Sequence, residues 1–301
     1  MCQIPNTNFI AVQGLNDQYE NCVFIIDIRN CRVIKFCRIP LSSITNISYI
    51  SPIQHLVLND FASHTILLPL QNPSQMTGYL YHEGSVNDTY FYEEERSLLT
   101  CGNYPWLYIW RLENSKFTTS TKVYLEEGYK SNSLCVLKDT ASVAVYNSEV
   151  LLIIDLHSAS VVKRLEIAKR KEYNILFGAA YVPAFQCLYL FVGFQELEAE
   201  IIVCDCKQEG SELEVIGNKK LGFRPTYFSK TYESKYMWCT MDNTLFKLSL
   251  ETLGFQVNSL ESMGFVAEHD CLALSKKDLV ALINQDTSEF SVLNTKYMNF
   301  A

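Results

Sequence analysis

The feature that most constrains this chain is a strand-like segment that recurs at a nearly constant spacing. In its clearest copies an apolar run ends in one residue, an Asp and a further apolar residue, and a turn follows. The three copies with Asp are Cys22–Ile28, Val150–Leu156 and Glu200–Cys206, with Asp27, Asp155 and Asp205 in the shared place. A repeated strand-and-turn unit predicts that one architectural element is built several times.

Weaker copies of the same segment fill the gaps between these three. Pro69, Arg111, Ser249 and Val292 take the place of the Asp. The shared position therefore falls at residues 27, 69, 111, 155, 205, 249 and 292, with steps of 42, 42, 44, 50, 44 and 43. The one long step indicates an insertion near residues 169–172 or 195–198. Seven members at this step predict seven repeats of about 40–45 residues.

A second strand is predicted directly before each of these segments. The clearest pair runs from Leu98 to Cys101, turns at Gly102-Asn103 and returns from Trp106 to Leu112, which is the pattern of an antiparallel hairpin. The other second strands are predicted at 9–12, 55–58, 142–146, 188–192, 236–240 and 279–283. Several are nearly continuous apolar runs, as expected for strands covered on both faces.

This hairpin resembles the middle hairpin of a WD40 blade, with Trp110 in the Trp place and Arg111 where Asp is usual. The chain has no Trp-Asp dipeptide and no Gly-His dipeptide, so the resemblance is one of spacing more than of motif. It implies an all-β fold: a seven-bladed WD40-like β-propeller of four-stranded antiparallel blades. It also implies that Thr100 and Trp110 keep part of the buried hydrogen-bond relay of the family.

The resemblance extends over most of the chain, and we expect residues 1–301 to form a single propeller domain. Little sequence precedes residue 9 to supply an innermost strand, and only residues 296–300 could supply the last outer strand. We therefore expect one blade to be incomplete or to be closed by both termini. The alternative, that the chain is part of a longer protein, stays open.

Composition limits the possible partners and the compartment. The net charge of −8 argues against direct binding of nucleic acid, because that binding depends on cations that contact phosphates. Eleven cysteines, an odd number without a framework spacing, indicate reduced thiols and a cytoplasmic or nuclear location. No signal peptide is predicted at the N-terminus.

One uncharged window, residues 174–195, is long enough to be tested as a membrane span. Pro183 lies in its middle, inside a turn-like Pro-Ala-Phe-Gln segment. The window is better interpreted as two buried strands joined by a turn, and no membrane span is predicted.

The search for catalytic or metal-binding residues finds no established motif. Of the five histidines, His55 and His64 straddle a predicted turn and could meet across a hairpin. Cys204 and Cys206 are interpreted as core thiols. Asp27, Asp155 and Asp205 occupy equivalent places and are interpreted as turn caps rather than as channel acids. We expect no catalytic residue, no metal, no cofactor and no enzyme activity.

Two segments combine aromatic rings with charge, as protein-binding surfaces do. Tyr90, Phe91 and Tyr92 lie beside Glu93, Glu94 and Glu95. The corresponding region of the sixth repeat contains Arg224, Tyr227 and Phe228. The alternative is that these rings belong to the core of the first strand of each repeat.

The expected function is that of a protein-interaction scaffold or adaptor subunit of a multiprotein complex. Its partner is expected to be another protein, with a basic or amphipathic peptide segment as the best match to the three glutamates. Two alternatives stay open at this point: a hydrolase or lyase that uses the propeller channel, and a structural subunit of a coat or pore complex.

Overall fold

The computed structural model describes residues 1–41, 43–72, 75–167, 173–194, 199–207, 213–222, 225, 227–228, 236–241, 244–259, 269–273, 279–284 and 290–294. The chain divides into two compact units, residues 1–166 and 167–301. Both are built from antiparallel strands, in agreement with the all-β fold that the sequence predicts.

The first unit contains four sheets, each with four strands in chain order. The first sheet has β1 (Cys2–Gln3), β2 (Phe9–Leu15), β3 (Asn21–Asp27) and β4 (Arg32–Arg38). The second has β5 (Ile44–Ile50), β6 (His55–Asp60), β7 (His64–Pro69) and β8 (Gly78–Tyr81). The third has β9 (Val86–Tyr92), β10 (Ser97–Gly102), β11 (Tyr104–Glu113) and β12 (Lys116–Tyr124). The fourth has β13 (Ser133–Leu137), β14 (Ser142–Tyr146), β15 (Val150–Asp155) and β16 (Ser160–Glu166).

The second unit contains three sheets with the same order of strands. The fifth sheet has β17 (Tyr173–Val182), β18 (Cys187–Phe194), β19 (Ala199–Asp205) and β20 (Glu214–Lys220). The sixth has β21 (Tyr227–Phe228), β22 (Tyr236–Met241), β23 (Thr244–Ser249) and β24 (Phe255–Ser259). The last has β25 (His269–Ala273), β26 (Leu279–Asn284) and β27 (Phe290–Asn294).

Each predicted hairpin is present as the second and third strands of one sheet. In each of the first six sheets the repeated position lies opposite the first residue of the preceding strand. The pairs are Asp27–Phe9, Pro69–His55, Arg111–Ser97, Asp155–Ser142, Asp205–Cys187 and Ser249–Tyr236. The spacing in the sequence therefore reflects one conserved register of the two central strands.

The seventh sheet corrects one position of the repeat. Val292 lies opposite Ala281, whereas Asn294 lies opposite Leu279, the first residue of β26. The residue equivalent to Asp27 is thus Asn294, two positions after the one predicted. The sequence reasoning failed here because the run from 289 to 293 has no turn residue that marks its end.

Six sheets have four strands, and the last has three within the described residues. The short β1 is the innermost strand of the first sheet. It pairs with β2, and Gln3 lies opposite Ile10. Residues 296–300, the predicted source of a last outer strand, lie outside the described ranges, as do both predicted insertion sites at 169–172 and 195–198.

The interpretation of the uncharged window as two strands is confirmed. It forms β17 and β18, which pair in antiparallel fashion from Val182 opposite Cys187 to Tyr173 opposite Phe194. The turn between them contains Pro183, whose fixed φ and missing N–H suit a turn and would break a helix. Within the described ranges there is no helix with the length and apolar character that crossing a membrane requires.

Apolar clusters fill the spaces between consecutive sheets of the first unit. Because side chains alternate across a strand, β11 contributes Leu107 and Ile109 to one cluster and Tyr108 and Trp110 to the other. The first of these clusters joins the third and fourth sheets, and the second joins the second and third. A further cluster joins the first and second sheets, and a fourth cluster joins the fifth and sixth. Central strands are thus buried on both faces.

Backbone hydrogen bonds repeat from sheet to sheet at the turns. The residue after the repeated position donates its N–H to the carbonyl of the residue just before the second strand. These bonds are Ile28–Asn8, Leu70–Gln54, Leu112–Arg96, Leu156–Ala141 and Cys206–Gln186, at 2.8–3.1 Å. They tie the turn after the third strand to the turn before the second.

The outermost strands share an irregularity that the sequence did not predict. In the first, third, fourth and fifth sheets a β-bulge falls at the same place, between the residues two and one before the repeated position. The bulged residues are Ile34, Ser120, Val162 and Ile216. In the second and sixth sheets the outermost pairing is regular. Bulges at sheet edges hinder pairing with another strand.

Candidate protein-binding surfaces

The three glutamates predicted to bind a partner lie in the turn between β9 and β10. The N–H of Arg96 donates to the carbonyl of Glu93 at 3.1 Å, and the Ser97 hydroxyl donates to the carbonyl of Glu95 at 3.0 Å. Glu93 and Glu94 are exposed, and Glu95 is half-buried. The turn therefore presents its carboxylates to solvent from a fixed backbone.

The rings beside these glutamates do not form an exposed contact surface. Phe91 and Tyr92 are 7% and 4% exposed and belong to the clusters on the two faces of the third sheet. Tyr90 is half-buried against the same cluster as Tyr92. The expectation that these rings supply binding area is therefore wrong for Phe91 and Tyr92, because successive residues of a strand covered on both faces are all buried.

The acidic character of this turn extends to the neighbouring sheet. Burial raises the pKa of Tyr92, and the negative charges of Glu94, Glu95 and Asp139 add to the rise in that pKa. Asp139 lies in the turn between β13 and β14 and is exposed. We call Glu93, Glu94, Glu95 and Asp139 the acidic surface. His157, in the turn after β15, places Nδ1 3.6 Å from a Glu95 oxygen.

The second predicted patch is only partly described. Arg224 lies outside the described residues. Tyr227 and Phe228 form β21, the innermost strand of the sixth sheet, and lie opposite Thr240 and Cys239. Their position in a paired strand agrees with the alternative that they belong to the first strand of the repeat.

The three repeated aspartates cap the turns that follow their strands. Asp27 accepts from the N–H of Arg29 at 2.9 Å, Asp155 from that of Ser158 at 2.6 Å, and Asp205 from that of Lys207 at 2.8 Å. These hydrogen bonds lower the pKa of Asp27 and of Asp155. The same local role in three sheets accounts for the recurrence of Asp at this position.

The buried relay implied by the WD40 resemblance is present in the third sheet and has an additional member. The Trp110 Nε1–H donates to Thr100 Oγ1 at 3.0 Å, and His82 Nε2 lies 2.8 Å from the same oxygen. Thr100 Oγ1 accepts from Trp110 and shares a second hydrogen bond with His82 Nε2, whose direction depends on the tautomer of the imidazole. Burial lowers the pKa of His82 to about 4, so the imidazole is neutral at pH 7.

His82 was missed by the sequence reasoning. It lies in the connection between β8 and β9, where no Gly-His dipeptide marks it; the chain has Glu83 between His82 and Gly84. The signal that could have found it is a histidine four residues before the first strand of the one repeat that keeps both Thr100 and Trp110. The imidazole also stacks on Tyr104, with ring centres 5.7 Å apart.

Glu83, next to His82, ties this connection to the outer strands of the third sheet. Its carboxylate accepts from Trp106 Nε1 at 3.1 Å, from Tyr108 Oη at 3.1 Å and from Lys122 Nζ at 2.8 Å. The Lys122 ammonium lies 4.7 Å from the centre of the Tyr108 ring. Hydrogen bonds to Lys122, Tyr108 and Trp106 lower the pKa of Glu83.

Asp88 joins three consecutive sheets. It is 3% exposed and accepts from the Asn46 side chain of β5, from the Ser133 hydroxyl of β13 and from the N–H of Leu134 at 3.1 Å. Its own neighbour Thr89 donates its N–H at 3.0 Å. A buried carboxylate is stable when donors satisfy it in this way.

The other candidate clusters do not assemble. His55 lies opposite Pro69, whereas His64 lies near the other end of the hairpin, with Nδ1 3.1 Å from Asp60. Cys204 is buried within β19 and Cys206 follows that strand. Among the described residues, no group of three His, Cys, Asp or Glu side chains is placed to hold a metal ion.

Comparisons with known proteins identify the fold. No protein-family model matches the chain, and no curated protein matches it. Among solved structures, hydrazine synthase of Kuenenia stuttgartiensis is similar over 98% of this chain and 94% of its own, with a TM-score of 0.74 and 10% identity. The Cps50 (Swd1) β-propeller domain of Myceliophteria thermophila is similar over 95% of this chain and 93% of its own, with a TM-score of 0.72 and 12% identity.

The chain is thus a β-propeller with four-stranded antiparallel blades, and a β-propeller domain is among its structural neighbours. At 10–12% identity the likeness concerns the fold alone. Hydrazine synthase and the Cps50 (Swd1) β-propeller domain both have this fold. The fold alone therefore does not distinguish a catalytic function from a binding function.

Proposed function

We propose that this β-propeller is a protein-interaction scaffold or adaptor subunit of a multiprotein complex, located in the cytoplasm or nucleus. The whole chain would act as one seven-bladed domain, with the three-stranded sheet as its last blade. The observation that carries the proposal is the acidic surface: four carboxylates on two neighbouring turns, supported by buried strands and repeated turn hydrogen bonds. Loops held on a rigid scaffold are where binding residues concentrate.

The acidic surface fits a basic peptide segment better than an amphipathic one that relies on aromatic contacts. The burial of Phe91 and Tyr92 removes the apolar area that was expected beside the glutamates. Exposed carboxylates steer a Lys- or Arg-bearing partner and raise the association rate constant, with a strong dependence on salt. The net charge of −8 also disfavours nucleic acid as a direct ligand, because its phosphates are negative as well.

The test is capture followed by kinetics. Immobilised wild-type chain is incubated in extract of its source cells, co-purifying chains are identified by mass spectrometry, and one partner is purified. The variant Glu93→Lys, Glu94→Lys, Glu95→Lys is then compared with wild type by surface plasmon resonance. We expect an association rate constant at least about tenfold lower at low salt, with an unchanged melting temperature.

A matched control separates local from global charge. The variant Asp17→Lys, Glu127→Lys, Glu149→Lys changes three exposed carboxylates and carries the same net charge as the test variant. It should bind the partner almost as wild type does. Equal loss of binding in both variants, or none in either, would show that the acidic surface is not the interface.

A further inference from the structure

The outermost strand of the second sheet lacks the protection that most other outer strands have. The outer strands of the first, third, fourth and fifth sheets each contain a bulge and two or more Lys or Arg residues. Strand β8 has regular pairing with β7 and no charged residue. Strand β24 is also regular and uncharged.

The sequence of the second sheet is nearly free of charge as well. Between Arg38 and Glu83 the chain has a single charged residue, Asp60. Asp60 is 2% exposed, and its carboxylate accepts from the N–H groups of Ala62 and His64, both at 2.8 Å. The second sheet therefore contributes no exposed charged side chain of its own between Arg38 and Glu83, in a chain in which 19% of residues are charged. A cation of the first sheet, Lys35, lies beyond the end of β7, where its ammonium donates to the carbonyls of Leu70 and Gln71.

Large side chains are exposed on this sheet. Tyr79 and Tyr81 of β8 are 44% and 67% exposed, and Phe61, in the turn before β7, is 63% exposed. The two tyrosine rings stack with centres 6.3 Å apart, and the His64 ring lies against Tyr81 at 5.6 Å. Clustered exposed aromatic rings are typical of protein-binding surfaces. We call Tyr79 and Tyr81 the aromatic edge.

The hydrogen-bond pattern shows which backbone groups are free to pair. The N–H of His82 donates to the carbonyl of Ser63 at 3.1 Å, so the hydrogen-bonded pairs of this ladder fall on His82 and on Leu80. Antiparallel ladders alternate. The N–H and C=O groups of Tyr79 and Tyr81 therefore point away from β7, toward the outer side of the sheet.

We propose that β8 binds an extended, uncharged segment of a partner protein, which adds to the second sheet as a fifth strand. The segment pairs with the outward N–H and C=O groups of Tyr79 and Tyr81, and its side chains pack on the aromatic edge. Strand addition of this kind takes affinity from main-chain hydrogen bonds and specificity from alternate side chains.

The chemistry of the segment follows from that of the site. A charged side chain placed on this surface would lose water without meeting an opposite charge, which is costly. β-Branched and aromatic side chains suit both the extended backbone and the tyrosine rings. Since only two residues of β8 offer outward groups, the main chain contributes about four hydrogen bonds, and side-chain contacts must provide most of the remaining affinity.

This inference rests on the proposed binding role but concerns a different surface and a different chemistry. Charge reversal at Glu93, Glu94 and Glu95 should leave the binding of a segment to β8 unchanged. Loss of the aromatic edge should leave the binding of a partner to the acidic surface unchanged. The two proposals can therefore fail separately.

The experiment is a selection from a phage library of random dodecapeptides on the immobilised wild-type chain. We expect the enriched peptides to be uncharged over five or more residues, with β-branched or aromatic side chains at alternate positions. One enriched peptide is then synthesised with and without N-methyl groups on alternate amides, and binding is measured by fluorescence anisotropy. N-methylation in one of the two alternating registers should weaken binding at least tenfold.

The variant Tyr79→Lys, Tyr81→Lys tests the site, and Tyr124→Lys, a change of an exposed tyrosine on the bulged strand β12, is its control. The double variant should lose peptide binding at least tenfold with an unchanged melting temperature, while the control binds normally. The proposal is overturned by no enrichment, by charged peptides, by equal binding to the double variant, or by no effect of N-methylation in either register. It is also overturned if sedimentation shows a wild-type dimer that the double variant abolishes, since a second copy then occupies the edge.

Discussion

The imidazole of His82 and the hydroxyl of Thr100 are 2.8 Å apart in the core of the third sheet. The connection before β9 and the central strand β10 are thereby joined by a polar contact within an apolar cluster. Trp110 completes the chain of hydrogen bonds from the next strand. The low local dielectric strengthens the hydrogen bonds of a buried polar network of this kind.

Truncation of Trp110 should strongly destabilise the chain. Trp110→Ala removes a ring that is 6% exposed and stacks on Tyr108, and it removes the donor to Thr100. We expect a loss of about 3–5 kcal/mol in the free energy of unfolding, measured by urea denaturation. Trp110→Phe retains most of the packing and should cost less. A loss below about 1 kcal/mol for Trp110→Ala would contradict the burial of the indole.

His82 should make stability depend on pH in a defined window. Its pKa in the folded chain is about 4, below the ordinary value of 6.5. As pH falls from 6.5 toward 4, the unfolded chain binds a proton that the folded chain does not, so stability falls; above pH 6.5 this contribution is constant. The loss attributable to His82 is about 3 kcal/mol.

The measurement for this pH effect compares wild type with His82→Gln in urea denaturation at pH 7 and pH 4.5. The other titrating groups are common to both chains, so the difference between them isolates His82. Wild type should lose more stability than the variant between the two pH values. Parallel losses would mean that the imidazole is protonated, or solvated, in the folded chain.

Gly102 should tolerate no side chain. A Cβ atom at this position would lie 2.0 Å from the carbonyl oxygen of Ser85, which accepts from the N–H of Asn103. Gly102→Ala should therefore cost about 1–3 kcal/mol through displacement of the backbone. In β20, the Cβ of Gly217→Ala would have no neighbour within 4 Å, so this variant is the control and should lose little or nothing. Equal melting temperatures for the two variants would contradict the close approach.

Asp88 should matter far more for stability than an exposed carboxylate of the same unit. Asp88→Ala leaves the donors of Asn46, Ser133 and Leu134 without their acceptor, and we expect a loss of about 2–4 kcal/mol. Asp139→Ala, at an exposed turn, should change stability by less than about 0.5 kcal/mol. Similar denaturation midpoints for the two variants would show that Asp88 does not join the sheets.

Much of the fold was predictable because the repeat is a matter of spacing. The apolar runs before Asp27, Asp155 and Asp205 end at turns, and each carboxylate accepts a hydrogen bond from a backbone N–H of its turn. The Asp is therefore a local chemical signal that marks the end of the strand. Where that signal is absent, as at Val292, the predicted position was two residues from the equivalent Asn294.

The surfaces were less predictable because exposure depends on contacts between sheets. Phe91 and Tyr92 look like binding residues beside three glutamates, yet each faces a different neighbouring sheet. The exposure of Tyr79 and Tyr81 could not be predicted, because the segment Gly-Tyr-Leu-Tyr contains no signal that β8 is an outer strand. His82 was missed for a similar reason: its partners are 18 and 28 residues away in the chain.

The bridge at Asp88 has a consequence for how the first unit opens. Repeat proteins often lose their units one at a time, because each contacts only its neighbours. Here one carboxylate is shared by β5, β9 and β13, so release of the third sheet also breaks polar contacts of the second and fourth. Backbone amides in these three strands should then exchange with deuterium in a single cooperative event, with one common opening free energy, while the outer strands exchange separately and faster.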